Sequence, residues 1–506
     1  MNKQPKLENY TVGVIGVGVM GKGISQLIAM SGVKVLLFHK NEVAARAGLA
    51  FVKDMILRSK EKGFSADECT AAVARLKNIS DLKEMACCDI IIEAVIEDLE
   101  TKKGIFAALE KIVSPSCILA SNTSSLSVTE IAGVLKSPGR FAGLHFFNPV
   151  PLMKIVEIVS GMQTTSEIVK TLEALVRQCG HDSVRVKDSP GFLINHAGRG
   201  LTTEGLRIVS ESIADFSAVD DLLTEGGPNF RMGPFELMDM VGLDVSHSVM
   251  ESIYNQFYQE PRFRPIPLTG TRVAAGLLGR KNGEGFYRYE DKEKLSCKVT
   301  TKSAELPKSV WIGPENNFGC DMLTKVLSNY VDIDCGKKPK PNSLCMFSPL
   351  GKDVTSCAVE AGVEAERSFG VDTLFGLTGR RTLMLSPLSD KSLGDSARAA
   401  LSADGSSVTV INDSPGFVNQ RIIVTIINIA CDIAQQQIAS PTDIDKAVKI
   451  GLGYPLGPLS YGDRLGPARI LEILQAMFEF YVDPRYRPSP WLKRRAMLNV
   501  SLLTTG

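Results

Sequence analysis

Histidine is scarce in this chain, with five residues in 506, and all five lie before residue 248. Chemistry that needs an imidazole is therefore confined to the first half. An excess of one charge is also lacking. Lysine and arginine number 57 against 56 acidic residues, which leaves no reason to expect nucleic acid or a membrane surface as partner. The eleven cysteines, from Cys69 through Cys87 and Cys88 to Cys431, match neither a zinc spacing nor a disulfide framework, so a reducing compartment is expected. No apolar run is long enough for a bilayer: the stretch 422–430 is short and carries Thr425 and Asn428. Residues 1–10 have no apolar core of the signal-peptide kind, and the expected location is cytoplasmic.

What is present is the composition of a soluble globular protein, 44% hydrophobic and 22% charged, on a chain too long for one core. The run Val12–Ile15 reads as a buried strand that passes directly into Gly16-Val-Gly18-Val-Met-Gly21 and then into helical spacing. In such a strand, loop and helix, Gly16 permits the turn, Gly18 lets backbone amides approach a pyrophosphate, and Gly21 allows close packing. A second strand, 33–38, follows at the distance a dinucleotide-binding unit requires. It ends in His39-Lys40-Asn41, where an acid usually binds the ribose hydroxyls of NAD. Lys40, with His39, would tolerate a phosphate there, unless Asn41 or Glu42 serves the hydroxyls.

Residues 42–80 read as two helices joined around 62–65, with Ser65 and Glu68 as a capping box. A buried strand over 89–97 ends in acids, Lys102 and Lys103 open a helix, 117–121 forms another strand, and 122–125 caps the helix after it. The alternation predicts a mostly parallel sheet covered on both faces, with ligands gathering beyond the carboxyl ends of its strands. Glu97, Asn122, Ser124 and His145 all fall at such ends. After His145 the chain turns through Asn148-Pro149-Val150-Pro151 and returns over 154–159, which can bring Glu157 beside His145. A carboxylate on one ring nitrogen fixes the tautomer and suits the other nitrogen to take a proton from an alcohol. A helix over 166–179 and a strand over 183–186 lead to Ser189-Pro190-Gly191-Phe192, a helix-start signal. From there to about 289 the pattern is helical, with Asn195 in the first turn, 217–220 as a cap and Gly233-Pro234 as a further helix entry.

Taken together, the glycine loop, Asn122-Thr123-Ser124, Leu144-His145-Phe146-Phe147-Asn148-Pro149, Glu157, Asp188-Ser189-Pro190-Gly191-Phe192 and Gly233-Pro234-Phe235-Glu236-Leu237 resemble the 3-hydroxyacyl-CoA dehydrogenases over residues 10–290. The resemblance implies NAD-dependent oxidation of an (S)-3-hydroxyacyl-CoA, for example 3-hydroxybutyryl-CoA or 3-hydroxyadipyl-CoA, in fatty acid beta-oxidation or aromatic catabolism. It makes His145 the base, Glu157 its partner, and Ser124 and Asn195 the residues around the substrate, with Lys62 a further substrate contact. Gly16, Gly18, Val19, Met20, Gly21, His39, Glu97, Lys102, Asn122, Asn148 and Lys281 match cofactor positions. NAD is expected, with NADP kept open by His39 and Lys40. Rival readings are a catalytically silent crystallin-like protein and a lysine-dependent hydroxyacid dehydrogenase.

A second, incomplete copy follows. Asn412-Asp413-Ser414-Pro415-Gly416-Phe417 repeats 187–192, 457–463 repeats 233–239, and Tyr486-Arg487-Pro488 repeats Phe263-Arg264-Pro265. Upstream, 308–319 looks like a worn strand and loop, with Pro314 and Asn316 where glycine is needed. The expected organisation is a Rossmann-type domain at 1–188, a helical domain at 189–295, a degenerate α/β segment at 296–411 and a second helical copy at 412–506. In that copy an amphipathic helix over 422–438 should bury its apolar face against 192–213. The second helical domain then packs within the chain like a partner subunit, a higher homo-oligomer being allowed.

Overall fold

Alternating β-branched runs and helix-period segments fold into a doubly wound sheet in the computed structural model, which describes residues 7, 9–291, 293–295 and 304–505. Residues 296–303, where one expected domain boundary falls, lie outside the described residues. The chain divides into two compact units, Met1–His196 with Gln436–Leu452, and Ala197–Gln435 with Gly453–Gly506.

In the first unit β1 (Thr11–Ile15), β2 (Lys34–Phe38), β3 (Leu76–Ile79), β4 (Ile90–Glu93), β5 (Ile118–Ser121), β6 (Phe141–Phe146), β7 (Ile155–Ser160) and β8 (Asp182–Lys187) form one sheet in the order β3-β2-β1-β4-β5-β6-β7-β8. Every neighbouring pair is parallel except β6 and β7. β4 and β5 are buried at every residue, as strands covered on both faces must be. Ile24 and Leu27 of helix Val19–Met30, Val52 of Glu42–Arg58 and Leu172 of Ser166–Gln178 share one apolar cluster with Val12, Val14 and Ile90. Burying each such side chain contributes roughly 1.5–3 kcal/mol, which makes this cluster the main stabiliser of the unit.

Local expectations are corrected here. β3 lies inside the stretch expected to hold only helices, because its four residues are too few to show a period beside strong helical neighbours. β4 stops at Glu93 rather than Glu97: the Glu93 carboxylate turns back to accept from Val95 N and Lys102 Nζ, both at 2.7 Å. The helix after β5, Val128–Ala132, is capped by Ser127, whose Oγ accepts from Glu130 N, and not by 122–125. The helix after Ser189-Pro190 begins only at Ile194. The capping box of Ser65 and Glu68 is present.

The second unit opens with helices Arg199–Ser210, Phe216–Glu225, Pro234–Val241, Leu243–Gln256 and Pro267–Ala274. Asp215 rather than Ser217 caps the second of these, while Asp220 accepts from Phe235 N and Glu236 N and so caps the third. A short ladder of β9 (Tyr289–Glu290) and β10 (Glu293–Lys294) precedes a six-stranded sheet in the order β12-β11-β13-β14-β15-β16. Its strands are β11 (Ser309–Ile312), β12 (Asp332–Asp334), β13 (Leu344–Phe347), β14 (Ser368–Val371), β15 (Arg381–Leu385) and β16 (Val408–Asn412), with only β14 and β15 antiparallel. The last four repeat the sequence of pairings of β5 to β8. Beyond both sheets comes the same turn: Gly191 and Phe192 have φ of 70° and 48°, and Gly416 and Phe417 have 85° and 51°. A left-handed phenylalanine is costly, so its recurrence marks a copied structure.

Helices Pro458–Leu465 and Pro490–Leu498 stand where the repeats of Pro234–Val241 and Pro267–Ala274 are expected. Helix Asn419–Gln435 corrects the expected amphipathic 422–438. It is buried at every residue from Asn419 to Ala434 and has no solvent face. It lies against Arg199–Ser210 so closely that a Cβ on Gly200 would sit 2.9 Å from Ile426 Cα. Arg421, Asn428 and Asp432 are tolerated there because they are paired. Arg421, fully buried, donates to Glu204 at 2.8 Å, Glu211 at 2.8 Å and Tyr486 at 3.0 Å. Among the described residues no helix is long and apolar enough to cross a membrane.

Candidate active site

At the carboxyl ends of β1 and β4 to β6, the first unit holds a cavity of about 790 Å³. One end is the glycine loop. Gly16 has φ of 108°, and a Cβ there would strike Ala94 O at 2.3 Å; a Cβ on Gly21 would lie 2.0 Å from Gly16 O. Gly18, with open space about it, is the N-cap of helix Val19–Met30 and makes no side-chain cap, so the first amides of that helix are left for a ligand. Amides exposed at a helix start suit the pyrophosphate of a dinucleotide, and the residues fit such a cofactor.

The other end is a buried pair. The β6–β7 register places His145 directly opposite Glu157, and His145 Nδ1–H donates to Glu157 Oε2 at 2.6 Å. Glu157 Oε1 accepts from Leu193 N at 3.0 Å and Ile194 N at 2.8 Å, so every face of the buried carboxylate has a donor. With Nδ1 committed, Nε2 is the nitrogen His145 offers to the cavity. Phe147 and Phe192 flank the imidazole at ring distances of 4.3 and 5.7 Å and keep it from turning.

A second polar network, buried at Lys102 and Glu93 and open at Glu97, holds Ser124. Lys102 Nζ, 1% exposed, lies 2.7 Å from Glu93 Oε1 and 3.2 Å from Glu97 Oε2. Glu97 Oε1 then accepts from Thr123 Oγ1 at 2.6 Å, Ser124 N at 2.7 Å and Ser125 N at 3.0 Å. Burial alone raises the Glu97 carboxyl, but Lys102 and these donors outweigh it and hold the group below the usual carboxylate range. The loop 122–125 is thus wrapped round an anion, and Asn122 Oδ1 accepts from Phe146 N at 2.8 Å.

Of the residues singled out from sequence, Gly16, Gly18, Val19, Met20, His39, Glu97, Asn122, Ser124, His145, Asn148 and Asn195 line the cavity. Gly21 acts behind it through packing, Glu157 stands behind His145, and Lys102 meets Glu93 and Glu97 instead of the cavity. Lys281 belongs to the second unit, where it pairs with Asp244. Lys62 ends the turn Ser59–Lys62, and its side chain lies outside the description. Asn41 and Glu42 are not among the residues lining the cavity: Asn41 Oδ1 caps the next helix through Ala44 N, and Glu42 pairs with Arg46 on the surface. His39 and Lys40 face the cavity there. Sequence reasoning missed the apolar wall of Leu82, Val95, Ile96 and Ile105, since apolar residues scattered over a 3-10 turn, a loop and the helix Leu99–Glu110 share no periodic signal.

At the corresponding end of the second sheet the helix start already has a side-chain cap. Asn316 Oδ1 accepts from Gly319 N and so caps its own helix, while the Glu315 carboxylate accepts from Ser348 N where an anion would have to sit. By register Asp372 stands at the place of His145 and Thr382 at that of Glu157.

Comparison with known proteins agrees with this geometry. The model of the 3-hydroxyacyl-CoA dehydrogenase NAD binding domain matches residues 11–189, and that of the family's C-terminal domain matches 191–289 and again 416–501. The 3-hydroxyadipyl-CoA dehydrogenase of Escherichia coli K12 is 34% identical over 492 residues, 96% of this chain and 98% of that protein. A 3-hydroxybutyryl-CoA dehydrogenase of Clostridioides difficile is 38% identical over 280 residues, 54% of this chain and 98% of its own. The crystal structure of a 3-hydroxybutyryl-CoA dehydrogenase from Escherichia coli K12 superposes with a TM-score of 0.85 at 33% identity, covering 97% of this chain and 98% of that one. A glycine loop, a His145–Glu157 pair and a helical segment present twice thus agree with both family models and with a relative of equal length: the chain belongs to the 3-hydroxyacyl-CoA dehydrogenase family.

Proposed function

We propose that the protein oxidises an (S)-3-hydroxyacyl-CoA to the 3-oxoacyl-CoA at the cavity of the first unit. The observation that carries this reading is the buried His145–Glu157 pair, 2.6 Å apart, opening on the same cavity as an uncapped helix start. NAD, when bound, accepts the hydride from the third carbon of the acyl chain. His145 Nε2 takes the hydroxyl proton, and Glu157 holds the tautomer and offsets the imidazolium charge. Ser124 and Asn195 hydrogen-bond the substrate around the reacting carbon, and Glu97 with Lys102 keeps the Ser124 loop in place. Names of relatives favour 3-hydroxybutyryl-CoA or 3-hydroxyadipyl-CoA as substrate. Following nicotinamide absorbance with both tests this; no signal with any acyl chain length would point to a binding protein, and an active His145→Gln enzyme to a lysine base.

NAD is the proposed cofactor in preference to NADP, although His39 and Lys40 stand at the ribose position. A higher kcat/KM with NADP would overturn the choice. The organisation proposed is a Rossmann-type domain at 1–188, a helical domain at 189–295, a degenerate α/β segment at 296–411 and a second helical copy at 412–506, in the cytoplasm. That copy serves as a built-in partner subunit. Supporting it, Lys187 N donates to Ile438 O at 2.8 Å in the first unit and Asn412 N to Ile213 O at 2.9 Å in the second. These are equivalent bonds, each joining a sheet of one copy to a helical segment of the other.

A further inference from the structure

We infer that Gly451, at the end of a helix supplied by the second half of the chain, is a positioning residue for the His145–Glu157 pair. The inference rests on the reading of that pair as the proton-transfer machinery. Helix Pro441–Gly451 belongs to the first unit and lies along β7 and β8. It is tied there by the Lys187–Ile438 backbone bond and by Lys446, whose Nζ is 2.6 Å from Asp182 Oδ1.

Its last residue meets the site. A Cβ on Gly451 would fall 2.6 Å from Ile194 Cδ1, 3.3 Å from Ile194 Cγ1 and 3.4 Å from Ile155 Cγ2. The backbone φ at Gly451 is not left-handed, so what a side chain there would meet is the Ile194 side chain, itself 1% exposed, and not a backbone restriction. Both neighbours bear on Glu157. Ile194 donates its backbone N–H to Glu157 Oε1 and precedes Asn195, while Ile155 is two residues before Glu157 on β7 and points to the same face. The bare backbone of Gly451 thus sets how deep Ile194 sits, and through Ile194 N it sets where the carboxylate that orients His145 lies. A side chain at 451 pushes the 193–195 turn outward, lengthens the amide bonds to Glu157 and misaligns His145, with no effect on the glycine loop.

The test is Gly451→Val, assayed for kcat, for KM and for NADH binding, which counts the folded sites. The expected result is a kcat about ten- to a hundred-fold lower per NADH-binding site, the scale of a misplacement of about 1 Å, with NADH affinity unchanged. Gly451→Val with Ile194→Ala, which removes the struck atoms, should recover most of that loss; general destabilisation would not be repaired by a second cavity-forming change. If Gly451→Val does not fold, Gly451→Ala is expected to lose several-fold and Ile194→Val to restore it. Wild-type kcat in a folded Gly451→Val enzyme, or no recovery in either double variant, overturns the inference. His145→Gln run alongside separates the two layers: its retained activity removes the underlying reading, whereas an inactive His145→Gln beside a normal Gly451→Val removes only the role of Gly451.

Discussion

Replacing Glu157 by glutamine tests the tautomer argument sharply, because the structure dictates which way the amide must face. Glu157 Oε1 accepts from two backbone amides, Leu193 N and Ile194 N. A glutamine that turned its NH2 toward them would leave both donors unpaired in a buried place, at about 1–3 kcal/mol each. Its carbonyl oxygen therefore takes the amides, and its NH2 faces His145 Nδ1. That nitrogen must now accept, so the imidazole proton moves to Nε2, the atom that has to receive the substrate proton. Loss of the general base is worth about a hundred- to ten-thousand-fold in kcat, or roughly 3–5 kcal/mol at 1.36 kcal/mol per tenfold. Glu157→Ala offers a contrast: it strands the two amides and lowers stability, but leaves the imidazole free to choose its tautomer. Per folded site the alanine enzyme should be faster than the glutamine enzyme. The assay is the steady-state rate of nicotinamide reduction with a 3-hydroxyacyl-CoA, normalised by NADH titration. A glutamine variant within about threefold of wild type, or one faster than the alanine variant, refutes the reasoning.

Arg421→Met takes the nearest cation from the buried Glu204 carboxylate, which keeps Tyr486 OH at 2.7 Å and Arg485 at 3.8 Å, so the cost should fall below the roughly 3–5 kcal/mol of a fully broken buried pair; denaturant unfolding should show the loss, and a second change, Glu204→Leu, should return most of it. Asp372 is buried with one carboxylate oxygen lacking a partner, and burial raises its pKa to about 6. The folded protein then holds a proton that the unfolded chain has released between about pH 4 and pH 6, so this group lowers stability as pH rises through that window and not beyond it. Asp372→Asn should remove this group's share of the slope and add about 3 kcal/mol at pH 8, and an unchanged pH–stability curve would count against it. Calorimetric titration should find one NADH per chain, since Asn316 and Glu315 close the second loop; two sites per chain would end that account. Truncation after about residue 295 exposes Arg199–Ser210, where Asn419–Gln435 packs, and should give aggregates or a dimer; an active soluble monomer would contradict the built-in subunit.

Much of the fold was legible because it is local. A glycine loop between a strand and a helix, short buried runs at regular spacing, and a proline-marked turn between His145 and Glu157 depend on neighbours a few residues apart, and the register of β6 on β7 then brings the pair together without further information. The repeats 187–192 and 412–417 were equally legible, and the structure adds that each ends in a left-handed phenylalanine.

Other features depend on residues far apart in the chain. The helix expected over 422–438 reads as amphipathic, yet Asn419–Gln435 is buried all round, because Glu204, the Arg487 carbonyl and Arg262 supply partners to Arg421, Asn428 and Asp432. Periodicity reports which face is apolar; it cannot report that a charge on the other face will meet its opposite. Lys102 matched a cofactor position, but the structure turned it onto Glu93 and Glu97, a choice made by where β4 ends. Gly451 carried no signal in the sequence at all. Its role arises only where the last turn of one helix meets the Ile194 side chain, and the space between packed elements is a property that neither segment contains by itself.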